Sequence, residues 1–472
     1  MERKNAWSKY TSEKDKKKVF KFAEDYRKFL SECKTERECV SSAVVMARCN
    51  GFLTMKEIKA QHGGLRVGDR VYFVNKDKNF AAFVIGENFG SDGVNLLGAH
   101  IDSPRLDIKT QPLFEDGEVA YFDTQYYGGI KKYQWVTRPL AIHGKVCFKD
   151  GSSLNVVIGE DQNDPVFCIS DLLPHLDKNL YDKKASDFIN GEKLDLIAAT
   201  TELEGEEKDA VKKNVLKLLK EKYERFEEED FLSAELEVVP AGAARWCGLD
   251  KSLIAGYGQD DRVCAYTSLM ALMELSKEVK WDNATQKNIP DVLKRTVGCV
   301  LVDKEEVGSI CATGSKSRWL EDVLYCVSGA TDRMHFADML YKTDMLSSDV
   351  TAAYDPQFGD VSNKAMTAKL NGGFVLSKYN GGRGKSGGAD ANPEYIALVR
   401  NILDTANIKY QFDTMGKVDV GGGGTIASIV CNMNINVIDA GVPVLNMHSP
   451  MELTSVEDVY NTYLGYMAFL KH

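Results

Sequence analysis

The amino-acid sequence predicts an α/β fold in which a sheet is flanked by helices, with a β-rich domain inserted into it. Three observations support this prediction. A chain of 472 residues is longer than one hydrophobic core usually serves, so two domains are expected. Short apolar segments of strand length alternate with longer segments of helical periodicity. Between residues 106 and 247 this alternation stops and a different pattern takes its place.

The chain begins with helical signals and then turns to strands. Apolar residues recur at helical spacing between Val19 and Tyr26, and a second amphipathic segment covers residues 39–49. These segments predict a helical cap on a larger domain. The first short apolar segments of strand type then follow at residues 71–74, 80–85 and 94–99.

The middle of the chain predicts the inserted domain. Residues 140–148 and 154–158 have the pattern of strands, and residues 202–229 form a run rich in Glu and Lys. Helically spaced apolar residues within that run favour a solvated amphipathic helix over an acidic binding surface. After residue 248 the buried strands return, at residues 296–302, 323–327 and 435–438. We therefore predict a discontinuous α/β domain of residues 1–105 and 248–472 around an insert of residues 106–247.

Composition excludes several classes of partner. The formal net charge of -10 argues against nucleic acid and against an anionic membrane surface, because both require a basic footprint. The eleven cysteines show no paired metal-ligand spacing and are typical of reduced thiols. Residues 1–18 lack the apolar core of a secretory signal, and no apolar run reaches the length of a membrane span. We therefore expect a cytoplasmic protein that binds neither nucleic acid nor membrane.

Polar residues of catalytic type follow the predicted strands. Ligands of open α/β folds lie beyond the carboxyl ends of strands, and His100 and Asp102 follow one such strand. An imidazole there can bind a metal while a carboxylate orients it, although a structural His is the commoner finding. Glu305 and Glu306 follow the strand at residues 296–302 and could divide proton transfer and metal binding between them. A solvated acidic turn is the alternative interpretation.

Three further positions complete a set of metal-ligand type. Asp260 and Asp261 precede an apolar helical run, where a helix N-cap is an equally good interpretation. Asp349 and His448 are unremarkable taken singly. Together with His100 and the glutamates, however, they supply the nitrogen and oxygen ligands that zinc, cobalt or manganese accept.

The order of these groups resembles that of the aspartyl aminopeptidase family, also called metallopeptidase family eighteen. The resemblance covers nearly the whole chain in the expected order, including the long insertion between the first two motifs. It implies a mixed sheet flanked by helices, of the dinuclear metallopeptidase type, with the insert serving as a dimerisation domain. The motifs are GAHIDSPRLDIK, GQDDRVCAY, DKEEVGS, SSDV, GGGGTIAS and NMHSPME.

The resemblance assigns a role to each of these positions. It implies two divalent metal ions, zinc in the first place with cobalt or manganese as alternatives. It makes Glu305 the general base and Asp102 the residue that aligns His100. Whether Asp260 or Asp261 bridges the ions is an alignment judgement in which we prefer Asp260. The implied metal ligands are His100 and Asp349 on one ion, Glu306 and His448 on the other, and Asp260 on both.

Two positions resemble substrate-binding residues of the family. Lys378 resembles the lysine that faces an acidic N-terminal side chain, with the spacing changed by one residue; an exposed loop lysine is the alternative. His175 resembles a histidine that reaches the active site of a neighbouring subunit. The chain departs from the eukaryotic relatives at Ala352 and Asp355, where those tend to have histidines. This departure is typical of a bacterial-type branch with broader or different selectivity.

The resemblance implies a metallo-aminopeptidase that removes the N-terminal residue of peptides. It leaves open whether the enzyme prefers an acidic N-terminal residue. It also implies a homo-oligomer, a dodecamer built from dimers. Hydrolysis of another amide, by a deacetylase or carboxypeptidase, is an alternative. A non-catalytic assembly protein is another, and it predicts the loss of a ligand or of Glu305, all of which are present.

Overall fold

The computed structural model describes residues 5–278, 280–282, 287–289 and 293–472. The chain divides into two compact units. The first consists of Met1–Asp102, Ala244–Met447 and Met451–His472, and the second of Ser103–Ala243 and His448–Pro450. The predicted division at residues 106 and 247, and the role of the insert in dimerisation, stay predictions.

Ten α-helices are described, and local sequence explains where the second of them begins. Thr35 and Glu38 form a reciprocal capping box at the start of the second helix, which satisfies backbone N–H groups that the helix leaves unpaired. The predicted helical cap near the amino terminus is present as the first two helices. The helices are α1 (Glu13–Glu32), α2 (Glu36–Cys49), α3 (Met55–His62), α4 (Ala210–Tyr223), α5 (Gln259–Glu278), α6 (Trp319–Ser328), α7 (Arg333–Tyr341), α8 (Pro393–Thr405), α9 (Ala427–Val430) and α10 (Val456–Leu470).

The described strands form four sheets, two of which carry most of the fold. The strands are β1 (Leu53–Thr54), β2 (Arg70–Asn75), β3 (Asn79–Val84), β4 (Val94–His100), β5 (Arg105–Asp116), β6 (Val119–Tyr127), β7 (Leu140–Cys147), β8 (Ser153–Ile158), β9 (Leu196–Ala199), β10 (Ala234–Pro240), β11 (Arg245–Cys247), β12 (Leu253–Gly256), β13 (Lys280–Asp282), β14 (Lys287–Ile289), β15 (Thr296–Val302), β16 (Asp344–Ser347), β17 (Thr351–Ala352), β18 (Phe374–Ser377), β19 (Tyr410–Asp413), β20 (Asn436–Gly441), β21 (Pro443–Leu445) and β22 (Glu452–Ser455).

The first unit is built on a nine-stranded mixed sheet in the order β1-β2-β3-β15-β4-β16-β20-β18-β19. Its centre, from β15 through β4 and β16 to β20, is parallel, whereas β3 and β18 run against their central neighbours. Helices are needed to connect parallel neighbours, and they cover the sheet on its two faces. The predicted fold class, a mixed sheet flanked by helices, is confirmed.

Two apolar clusters cover the two faces of this sheet. Leu97 and Ala99 of β4 belong to the cluster that includes side chains of α1, α5 and α10. Val94 and Leu96 of the same strand belong to the other cluster, with side chains of α6 and α7. Successive strand residues point to opposite faces, so a strand with helices on both faces is apolar throughout. This arrangement explains why every residue of β4 is buried.

A second sheet of the first unit contains the strand that precedes α5. Its five strands are ordered β11-β12-β22-β21-β17. Gly256, the last residue of β12, pairs with Glu452, the first residue of β22. The segment that enters α5 at Gln259 therefore leaves the sheet beside Glu452.

The second unit contains a six-stranded antiparallel sheet in the order β8-β7-β10-β5-β6-β9. Helix α4 contacts β5, β6 and β9, and its Ala210, Val211 and Val215 are buried. The predicted strands at residues 140–148 and 154–158 correspond to β7 and β8. The Glu- and Lys-rich run contains a helix, as predicted, although α4 covers only its central part.

One predicted strand is wrong. Residues 323–327 lie in α6, where Leu320, Val323, Leu324 and Val327 are buried at helical spacing. A short apolar run is compatible with a buried strand or a buried helix, and periodicity over five residues cannot separate them. Among the described residues, none of the helices has the length and apolar character needed to span a membrane.

Candidate metal centre and active site

The carboxyl ends of three parallel strands bring the candidate residues of the first unit together. Val302 at the end of β15 is in register with His100 at the end of β4. Ser347 at the end of β16 is in register with Gly98 of β4. The residues that follow these strands therefore leave the same edge of the sheet.

His100 lies against the two aspartates at the start of α5. Its Nε2 is 3.1 Å from Oδ1 of Asp260, and its backbone N–H donates to Oδ2 of Asp261 at 3.3 Å. The Asp260 backbone, at φ -81° and ψ 105°, is outside the helical region, and the Asp260–Asp261 peptide bond is cis. The two contacts place the Asp260 carboxylate beside the imidazole ring of His100 and the Asp261 carboxylate beside its backbone. This difference supports Asp260 as the metal ligand.

Asp349 joins His100 and Asp260 in one group. Each of the three offers a ligand atom, and these atoms all lie within 4.8 Å of one another. A second group of the same kind joins His100 with Glu305 and Glu306. The structure therefore brings together five of the predicted site residues of the first unit, and His100 is common to both groups.

The ionisation of these groups is perturbed by their packing. Removal from water raises the pKa of Asp349 well above its usual value, and the negative charge of Asp261 adds to the effect. The pKa of Asp261 is raised mainly by burial as well. Burial lowers the pKa of His100, but the hydrogen bonds with Asp102 and Asp260, together with the charges of Asp260 and Glu305, raise it well above its usual value.

This donor set fits a divalent cation. Carboxylates that are crowded away from water repel one another, and a bound cation offsets that repulsion. One imidazole nitrogen with several carboxylate oxygens is a ligand set that zinc accepts. The buried pair His100 and Asp260, with Asp349 beside it, therefore has the chemistry and spacing of a metal-binding group.

Asp102 has a second contact that the sequence did not predict. Its main-chain oxygen lies 3.0 Å from Nδ1 of His100, which agrees with the predicted alignment of the ring. Its two carboxylate oxygens also accept the backbone N–H groups of Glu305 and Glu306, both at 3.1 Å. Asp102 is fully buried, so one carboxylate fixes the short helical turn at Glu305–Val307.

A buried ion network includes Asp303, which stands two residues before the same turn. The ammonium group of Lys78 lies 2.9 Å from Oε1 of Glu36 and 3.8 Å from Oδ2 of Asp303. Burial raises the pKa of Asp303 to about 6, with a further contribution from the charge of Glu36. Lys78 and Glu36 were not predicted from the sequence, because neither stands in a motif with the residues that it contacts.

His448 belongs to the second unit. Its Nδ1 lies 3.0 Å from the carbonyl oxygen of Gly129, also in that unit. When Nδ1 carries the proton and donates to this oxygen, Nε2 keeps its lone pair. His448 is therefore oriented as a metal-binding histidine usually is, and its place in the metal site stays a prediction.

Lys378 follows β18 and shares a carboxylate with a second lysine. Its Nζ is 3.3 Å from Oδ1 of Asp390, while Nζ of Lys385 is 2.7 Å from Oδ2 of the same residue. The hydrogen bond with Lys385 holds the pKa of Asp390 below its usual value; burial opposes this shift, and the hydrogen bond with Lys378 adds to it. Asp390 partly neutralises the predicted substrate-binding lysine, and this residue was not predicted from the sequence.

His175 lies in the second unit on an exposed segment. Large apolar side chains on the same segment are also exposed, among them Leu173 at 49% and Leu176 at 67%. Exposed apolar groups clustered in this way mark interaction surfaces more often than isolated ones do. The predicted role of His175 in a neighbouring subunit is not tested by a single chain and stays a prediction.

The fold and the site define a class: an α/β protein with a buried histidine and carboxylate cluster of metal-binding composition at the carboxyl edge of its central sheet. Residues 29–470 match the family model of the aminopeptidase I zinc metalloproteases, M18. The chain belongs to this family of zinc metallo-aminopeptidases, as the sequence analysis predicted.

Individual relatives agree with the family assignment. A probable M18 family aminopeptidase 1 of Clostridium acetobutylicum is 49% identical, and the alignment covers 100% of this chain and 98% of the relative. The crystal structure of an M18 aminopeptidase of Thermotoga maritima is 43% identical with a TM-score of 0.91, covering 100% and 99% of the two chains. The S. cerevisiae mApe1 dodecamer, at 22% identity and a TM-score of 0.74 over 95% of this chain and 96% of that one, shares the fold.

Proposed function

We propose that this protein removes the N-terminal residue of peptides with two divalent metal ions and Glu305 as general base. The observation that carries the proposal is the sharing of His100 between two ligand groups. One contains Asp260 and Asp349, and the other contains Glu305 and Glu306. A proton-transfer group and a metal-binding group thus lie within reach of the same bound substrate, as general-base catalysis requires.

The proposed ligands follow the family resemblance. His100 and Asp349 would bind one ion, and Glu306 and His448 the other. Asp260 would bridge the two, which its position opposite the imidazole of His100 supports. Zinc is the proposed metal, with cobalt or manganese as possible replacements, because the donor set is one that all three accept.

The chemistry is then divided between the ions and the protein. Bound ions would polarise the scissile carbonyl and lower the pKa of the attacking water. Glu305 accepts a proton from that water and delivers it to the leaving amine. Asp102 holds the Glu305 and Glu306 backbone, so the carboxylates keep their positions while charge develops.

Substrate selection and assembly complete the proposal. Lys378 would face the N-terminal side chain of the substrate, and an acidic preference is weakened by Asp390. The protein would form homo-oligomers, up to a dodecamer built from dimers, and the related S. cerevisiae mApe1 structure is a dodecamer. His175 would act in the active site of a neighbouring subunit. The eleven cysteines, all free, support a reducing compartment such as the cytoplasm.

The test is hydrolysis of free aminoacyl anilides by the zinc-loaded protein and by Glu305→Gln. We expect activity in the wild type and a loss of about three orders of magnitude or more in the variant, because the variant cannot accept a proton. Glu394→Gln, an exposed glutamate of α8, is a matched control that should retain activity.

The same panel tests the alternatives. An aminopeptidase should cleave a free N-terminal residue and reject its N-acetylated form, whereas a deacetylase should release acetate from the latter. Cleavage of the N-acetylated substrates alone, or full activity in Glu305→Gln, would require the proposed function to be abandoned. A non-catalytic assembly protein would cleave neither substrate when loaded with zinc.

A further inference from the structure

The backbone of Asp260 is held by a buried carboxylate outside the ligand groups. Asp260 stands in the first turn of α5, where backbone N–H groups have no partner within the helix. Its N–H donates to Oε2 of Glu452 at 3.1 Å. Glu452 is 1% exposed and is the first residue of β22. A backbone N–H group that is buried at this position needs such an acceptor, because leaving it unpaired costs free energy.

The residue before Asp260 is fixed by three more hydrogen bonds. The hydroxyl of Tyr26, on α1, donates to Oε1 of Gln259 at 2.6 Å. The Gln259 amide nitrogen donates to the carbonyl oxygens of Ile254, at 2.9 Å, and of Glu452, at 3.4 Å. Tyr26 and Gln259 are both fully buried, so water cannot replace these bonds.

Three separate elements therefore converge on two residues. Tyr26 comes from α1, Ile254 from β12 and Glu452 from β22, and each is far from Asp260 or separated from it by a turn in the sequence. These hydrogen bonds hold the segment at Gln259 and Asp260 in a backbone conformation that the helix itself does not impose. The carboxylate of Asp260 is directed at His100 from this position, with 3.1 Å between Oδ1 and Nε2.

We propose that Tyr26, Gln259 and Glu452, the Asp260 clamp, position Asp260 for a divalent cation and thereby set the affinity of the site for zinc. The inference rests on the proposed function for the presence of the metal. It assigns positioning roles to three residues that do not belong to the ligand groups. Loss of a residue that orients a metal ligand typically lowers metal affinity or activity by about 10–100-fold.

Loss of the clamp should act on metal binding first. Without the Glu452 carboxylate, the N–H of Asp260 is left buried without its acceptor, and the segment can relieve this only by moving. Movement of Asp260 separates its oxygens from the positions that face His100. The protein would then bind zinc less tightly even where its fold is intact.

The experiment is a zinc titration of the full-length protein in competition with a chromophoric chelator. We expect Glu452→Ala to weaken zinc binding about 10-fold or more, and Glu452→Gln to recover part of this loss because it keeps an oxygen acceptor. Tyr26→Phe should weaken binding as well. The matched control is Tyr395→Phe, which removes a buried hydroxyl bond of 2.8 Å to the Met345 carbonyl oxygen and should leave the affinity unchanged.

Thermal unfolding without metal separates positioning from general destabilisation. Tyr26→Phe and Tyr395→Phe should unfold at similar temperatures while only the former loses zinc affinity. If Glu452→Ala fails to fold, this pair alone decides. Equal zinc affinity in Tyr26→Phe, Tyr395→Phe and the wild type would contradict the proposal that the Asp260 clamp sets the affinity for zinc. A wild type that binds zinc tightly but cleaves no peptide would refute the proposed function, whereas the proposed role of the Asp260 clamp in zinc binding would still stand.

Discussion

Asp102 contacts both the candidate metal ligand His100 and the turn that carries the candidate base. Its main-chain oxygen lies beside Nδ1 of His100, and its carboxylate accepts two successive backbone N–H groups from Glu305 and Glu306. A candidate metal ligand and the candidate base are therefore fixed relative to each other through a single residue. The pairing explains why a His-x-Asp sequence at the end of β4 matters to a turn that follows β15.

Replacement of Asp102 should impair catalysis more than stability. We expect Asp102→Ala to lower kcat/KM by about 10–100-fold, because the Glu305 and Glu306 backbone loses both acceptors. The measurement is anilide hydrolysis at saturating zinc. The control is Asp332→Ala, which removes a similar double cap, at 2.9 and 3.0 Å, from the N-terminus of α7. Comparable loss in both variants would mean that Asp102 acts through stability alone.

The shared carboxylate of Asp390 should govern the response to acidic substrates. Asp390→Asn leaves the charges of Lys378 and Lys385 without their partner. We expect kcat/KM for aspartyl or glutamyl anilide, relative to leucyl anilide, to rise by up to about five-fold, the factor that corresponds to a surface ion pair of about 1 kcal/mol. When Lys378→Met is already present, adding Asp390→Asn should change this ratio of kcat/KM values little. An unchanged ratio in Asp390→Asn would remove Lys378 from the substrate site.

At the level of elements, α10 contains two adjacent buried carboxyl groups in its first turn, those of Glu457 and Asp458. Asp458 accepts the backbone N–H groups of Asn371 and Gly373, both at 2.7 Å, and so fixes the loop before β18. The adjacent Glu457 is fully buried, and burial raises its pKa to about 7, although the charge of Lys9 opposes the shift. Burial raises the pKa of Asp458 as well, and the charge of Glu457 adds to it.

This pair predicts a loss of stability as the pH rises. A carboxyl whose pKa is 4.5 when unfolded and about 7 when folded binds its proton more tightly in the native state. Its contribution to stability is therefore complete below pH 4.5 and is lost as the pH passes through about 7. Glu457→Gln should flatten this slope and raise the free energy of unfolding at pH 8 by up to about 3 kcal/mol.

Urea unfolding between pH 4.5 and 8 measures this effect. The exposed Glu394, in the first turn of α8, supplies the control variant Glu394→Gln, whose curve should follow that of the wild type. A wild-type stability that is independent of pH over this range, or a Glu457→Gln curve parallel to it, would contradict the prediction.

At the scale of the whole molecule, activity should depend on contacts between subunits. The proposed role of His175 predicts that His175→Ala loses most of its activity although its own Glu305 is intact. Mixing it with Glu305→Gln should restore activity, because a subunit of the former then receives His175 from the latter. The measurement is hydrolysis after subunit exchange, with light scattering to establish the assembly.

The outcome distinguishes assembly from catalysis. Two inactive variants that stay inactive after verified exchange would show that His175 does not act across an interface. Full activity of His175→Ala by itself would remove the residue from the site. The exposed Leu173 and Leu176 beside His175 are consistent with a contact surface on this segment.

The family, the fold class and the strand-end positions of the site were all predictable from the sequence, because these depend on local periodicity and on motif order. The strand ending at His100 and the strand ending at Val302 were both predicted from apolar runs. The local pattern gave a wrong prediction where it is compatible with two kinds of secondary structure. The short apolar run at residues 323–327 is compatible with a buried strand and with a buried helix, and it lies in α6.

Which of two neighbouring residues faces a given group depends on tertiary packing. Asp260 and Asp261 are adjacent in the sequence, yet one faces the imidazole ring of His100 and the other its backbone. The bond from Asp102 to Glu305 spans 203 positions, and that from Asp260 to Glu452 spans 192. Spacing carries no information about such contacts, because they form only when separate strands and helices pack together and exclude water.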